Sequence, residues 1–90
     1  MYYLDANSYY AGKIVQYVID NFPDRNTFRY GLSYDHANGW RDNQDIYEID
    51  VIMEIVIEQL KKVIKDYKVE VSCHCLSYGW EIIVELGELQ

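Results

Sequence analysis

One run of the chain, from about Asp45 to Tyr67, repeats apolar residues at intervals of three and four: Ile49, Ile52, Met53, Val56, Leu60, Val63, Ile64 and Tyr67. That spacing gathers them on one side of an α-helix. Asp45 and Glu48, three residues apart, read as a capping box in which each side chain bonds an orphan amide of the first turn. Asp42 is an alternative cap one turn earlier. The charges also suit a helix. Asp45, Glu48 and Asp50 stand near its positive N-terminal end, and Lys61, Lys62 and Lys65 near its negative C-terminal end.

The remaining periodicities supply partners for that stripe. A first helix is expected from Asn7 or Ser8 to Phe22, capped by one of those two residues, with Tyr10, Ile14, Tyr17 and Val18 as its stripe. Pro23 disfavours helix at Phe22, and Gly12 either weakens the helix or lets another backbone come close. From Thr27 to Tyr34, Phe28, Tyr30, Leu32 and Tyr34 alternate with Thr27, Arg29, Gly31 and Ser33, the pattern of a strand with one wet face. A loop from Asp35 to about Gln44 carries the turn signal Asn38-Gly39 and then Trp40. After the central helix, Val69, Val71, Cys73 and Cys75 alternate with Glu70, Ser72 and His74. A turn at Leu76-Ser77-Tyr78-Gly79 leads to a third strand with Trp80, Ile82, Val84 and Leu86 on one face.

The expected architecture is α+β, a single compact domain over residues 1–90 in the order α-β-α-β-β. If the second helix is a crossover, the first two strands run parallel. Placing the third strand between them makes every pairing antiparallel. The sheet is therefore expected in the order 1-3-2, with both helices on the Phe28/Cys73/Ile82 face.

Composition narrows the functions. Half of the 90 residues are apolar, enough for a core despite a net charge of −7. That charge argues against direct binding to nucleic acid, whose phosphates need Lys and Arg, and permits a basic protein partner instead. Ten tyrosines are a heavy load for this length, and tyrosine suits interfaces as well as half-buried surfaces. Met1-Tyr-Tyr-Leu-Asp5 has neither the basic region nor the apolar run of a signal peptide, and no apolar stretch is long enough to span a bilayer. The expectation is a cytoplasmic protein with reduced, buried Cys73 and Cys75, since neighbours two apart on a strand cannot close a relaxed disulfide.

Chemistry-bearing motifs are absent. Cys73-His74-Cys75 fails as a metal site because His74 points away from both thiols, and only His36 remains as a further imidazole. The Asp35–Asp42 stretch does not follow calcium-loop spacing. No nucleophile has a recognisable base, and no glycine-rich phosphate loop occurs. A non-enzyme without cofactor or metal is expected.

The side of the central helix opposite its stripe is unusual. Asp50–Glu54 and Glu54–Glu58 are like-charge pairs at i,i+4, each unfavourable by roughly 0.2–0.5 kcal/mol. Tyr47 and Val51 add apolar area among them, with Ile55 just outside the stripe. From Asp42 to Glu58 there are six acids and no Lys or Arg. A row of carboxylates at this spacing can compete for a groove that holds phosphates. The expected partner-binding residues are Tyr47, Asp50, Val51, Glu54 and Glu58, together with Trp40, a residue type common at interface hot spots.

In being short, acidic, tyrosine-rich and motif-free, the chain is similar in composition to phage-encoded anti-defence proteins, anti-CRISPR inhibitors among them, and to toxin-neutralising immunity proteins. The likeness assigns no residue. It implies a small inhibitor that blocks a basic, nucleic-acid-handling partner, as a nucleic-acid mimic. The alternative is a structural or oligomeric module, a homodimer in which Tyr47, Val51 and Ile55 meet a second copy.

Overall fold

The structure is a computed structural model that describes residues 6–33, 48–77 and 79–88. Helix α1 (Ala6–Asn21) is followed by β1 (Thr27–Ser33), α2 (Ile49–Val63), β2 (Tyr67–Leu76) and β3 (Gly79–Glu88). The strands form one sheet in the order β1-β3-β2, with both pairings antiparallel. This is the expected α+β arrangement, and the crossover through α2 accounts for it. β1 and β2 run parallel, and the hairpin strand β3 between them turns both contacts antiparallel.

The register aligns the apolar positions in rows. Tyr30, Ile82 and Cys73 lie side by side, as do Phe28, Val84 and Val71. The core forms on this face, where Phe28, Leu32, Ile82 and Val84 are almost wholly buried. α1 contributes Tyr10, Ala11, Ile14, Val15 and Val18, and α2 contributes Ile52, Val56 and Leu60. Tyr17 reaches the same face of the sheet, edge-on to Phe28 and Tyr30 with ring centres 5.9 Å apart in each case. Both helices therefore cover one side. The other side carries Arg29, Glu70, Ser72, His74, Glu81 and Glu85, and no described element packs over it.

α1 stops where proline dictates, at Asn21, just before Phe22-Pro23. Its start differs from expectation. Neither Asn7 nor Ser8 caps it, because both lie inside the helix. Asn7 is instead only 6% exposed and serves the other helix: the Glu48 N–H donates to Asn7 Oδ1 at 2.6 Å, and Asn7 Nδ2 donates to Glu48 Oε1 at 3.3 Å. Among the described residues, a Cβ placed on Gly12 would meet nothing within 4 Å, so none of their backbone approaches there and the glycine weakens the helix.

α2 is shorter than its apolar period. Glu48 is the N-cap in extended conformation (φ −117°, ψ 116°) with no side-chain cap bond. The capping box required Glu48 to be helical, so it does not form; Asp45 and Asp42 lie outside the described residues. At the other end the helix stops at Val63, and Ile64 closes it by donating its N–H to Leu60 O at 2.7 Å. Tyr67 opens β2 opposite Glu88. Tyr67 satisfies two periods at once, the helical stripe and the alternation with Val69 and Val71. Pairing with β3 decides between them. Lys65 also falls after the helix, and Val63, expected in the stripe, is 58% exposed.

The expectation for the thiols is also corrected. Cys73 is only half-buried and Cys75 is exposed, near the hairpin end of the sheet. Tyr34, expected as the last residue of the first strand, lies outside the described residues.

Candidate partner-binding surface

Because Ile52, Val56 and Leu60 face the core, helical geometry turns Asp50, Glu54 and Glu58 outward. All three are exposed, one above another over two turns, with Val51 half-buried beside them. Among the described residues none of the three carboxylates is within ion-pairing distance of a cation. The structure thus brings together Asp50, Val51, Glu54 and Glu58 as the sequence predicts. Tyr47 and Trp40 lie outside the described residues, as does the Asp35–Asp42 stretch. Ile55 is half-buried against the core, so it belongs to the packing more than to the outer face.

The N-terminal end of this row reaches the sheet electrostatically. Burial raises the Cys73 thiol pKa above its ordinary value, and the negative charge of Asp50 raises it further. Cys73 therefore holds its proton at neutral pH and is a poor nucleophile. His74, between the two cysteines in sequence, lies on the opposite face, where its Nε2 is 2.6 Å from Glu81 Oε1. Arg29 Nη1 approaches the same oxygen at 3.1 Å. These three side chains come from three strands, so no local pattern in the sequence announces them. The hydrogen bond from His74 is the main reason that the Glu81 pKa lies below the ordinary glutamate value. Partial burial opposes this, and the charge of Arg29 assists it.

The cations gather at the C-terminal end of the acidic row, where Lys61 and Lys62 follow Glu58 by three and four residues. Four of the eight Lys and Arg residues fall within Lys61–Lys68, at the end of α2 and the start of β2. In the sequence, Lys61, Lys62 and Lys65 are explained by the helix dipole alone. The crowding of four lysines into eight residues was the signal of something more.

No helix among the described residues is long and apolar enough to cross a membrane. No family model matches the chain, and no curated protein or solved structure matches it.

Proposed function

We propose that this is a small, non-enzymatic binding protein that uses the outer face of α2 to block a basic, nucleic-acid-handling protein in the cytoplasm. The observation that carries the reading is the row Asp50, Glu54 and Glu58: exposed, aligned, and with no cation within ion-pairing distance among the described residues. Each like-charge pair disfavours the helix by roughly 0.2–0.5 kcal/mol, and a basic partner offsets that repulsion. Carboxylates at this spacing occupy a phosphate-binding groove as a nucleic-acid mimic would, and Val51 supplies apolar contact beside them. A phage or mobile-element anti-defence role, of the anti-CRISPR kind, agrees with this chemistry. A toxin-neutralising immunity role uses the same surface.

The test is a charge reversal. Glu54→Lys with Glu58→Lys should change stability by no more than about 0.5 kcal/mol, since neither side chain packs in the core. Wild type and double variant, immobilised side by side, are used to capture partners from the host, and association rates are then measured for the protein retained. The variant should associate about tenfold more slowly at low salt, with the gap closing as salt rises. Nucleic acid should displace the partner from wild type. Equal association rates at low salt would reduce the row to an ordinary solvated face.

A further inference from the structure

A second surface lies along the outer edge of β2, meeting the acidic row only near Cys73, where the charge of Asp50 is felt. This ten-residue strand ends the sheet and pairs with β3 one-for-one from Tyr67↔Glu88 to Leu76↔Gly79, with no bulge and no proline. Bulges and prolines are among the devices that protect such edges. The backbone groups that face outward follow from one bond, Leu86 N–H to Asn26 O at 2.9 Å. It directs the amide of Leu86 toward β1. By alternation, Val84 and Ile82 also face β1, while Glu85, Ile83 and Glu81 face β2. Their register partners Glu70, Ser72 and His74 therefore direct N–H and C=O to β3. Those of Val69, Val71 and Cys73 point off the sheet, and no described residue bonds them.

Beside this edge, Lys61, Ile64, Lys65, Tyr67, Lys68 and Val69 line a depression of about 450 Å³. It adjoins a second one of about 370 Å³, which extends past Ile64 and Tyr67 to Phe22 and the exposed Val63. The floor is apolar; the rim of the first depression carries Lys61, Lys65 and Lys68, and that of the second carries Lys65 and Asp66. Lys61 and Lys65 make no ion pair among the described residues, and Lys68 meets only the exposed Glu70 at 3.4 Å.

We propose that an extended acidic segment of a partner protein adds to β2 as a fourth strand. Its backbone bonds Val69, Val71 and Cys73, its aliphatic side chains lie on Ile64 and Tyr67, and its carboxylates meet Lys61 and Lys65. Strand addition of this kind takes affinity from main-chain bonds and selectivity from the pockets beside the edge. Acids also stand near the edge, with Asp50 acting on Cys73 and Glu70 paired to Lys68, so the segment's carboxylates belong at the Tyr67–Val69 end, where Lys61 and Lys65 stand. More distant charges of the net −7 are screened over a Debye length of about 8 Å at physiological salt.

The probe is a short fluorescein-labelled peptide of alternating Glu and Val, titrated into the intact protein by fluorescence anisotropy. Two companion peptides carry Lys in place of Glu, or N-methyl groups on the amides that would face the edge. The Glu/Val peptide should bind saturably and protect the amides of Val69, Val71 and Cys73 from hydrogen exchange. Both companions should bind about tenfold more weakly, and Lys65→Glu should weaken the Glu/Val peptide to a similar degree. The peptide-side change leaves folding untouched, so its result stands whatever Lys65→Glu does to stability. Equal binding of the N-methylated peptide, no saturable binding, or edge amides already protected by a second copy in the free protein would each overturn the proposal.

Discussion

Asn7 shows how one polar side chain can join two helices. It is buried in the first turn of α1, yet its amide bonds both the backbone N–H and the carboxylate of Glu48, which opens α2. Without it that amide loses its acceptor. Asn7→Ala should therefore lower stability by about 1–2 kcal/mol, while Ser8→Ala should stay within about 0.5 kcal/mol. Urea melts of the two variants check this, and equal midpoints would show that Asn7 contributes nothing beyond its volume. The residue was visible in the sequence as a candidate cap. What could not be read was that it serves a helix 41 residues away. Capping preferences are local statistics, and a local rule assigns a side chain to its own helix.

Among the elements, the sheet's open face carries a pH signature. Glu81 accepts from His74 and Arg29 on the neighbouring strands, and its pKa is lowered in the fold. A carboxyl group with a depressed folded pKa contributes stability above its unfolded pKa, and that contribution is lost as pH falls through the folded value. Glu81→Gln should therefore be less stable than wild type at neutral pH, with the difference shrinking as the solution is acidified. Denaturant midpoints across that range test the sign. A gap that grows on acidification would mean that the cross-strand cluster opposes folding. α2 illustrates the complementary point. Its face assignments at Asp50, Ile52, Glu54, Val56, Glu58 and Leu60 were legible because one helical period governs them all. Its ends were not, because Glu48 and Tyr67 are claimed by contacts with other elements.

On the scale of the whole molecule, stability centres on β3. Ile82 is fully buried, flanked by Tyr30 and Cys73 in the register and covered by both helices' side of the core. Ile82→Ala should cost about 2–5 kcal/mol through lost burial and the cavity left behind. That is a large share of the ~5–15 kcal/mol typical of a domain. Val63→Ala, at an apolar residue already 58% exposed, should cost no more than about 0.5 kcal/mol. Thermal melts that rank the two variants equally would mean that the core does not lie where the register puts it. The contrast also separates what each level of description determines. Period-two and period-3.6 spacing, read from the sequence by itself, determined the elements, their order, the central place of β3 and the outward acidic row, because backbone geometry converts spacing into faces. Tertiary packing set where α2 begins and ends, that Asn7 reaches Glu48, that Glu81 lies between His74 and Arg29, and that lysines stand beside the outer edge of β2. Those features depend on residues far apart in the chain, whose proximity is set by packing and strand register.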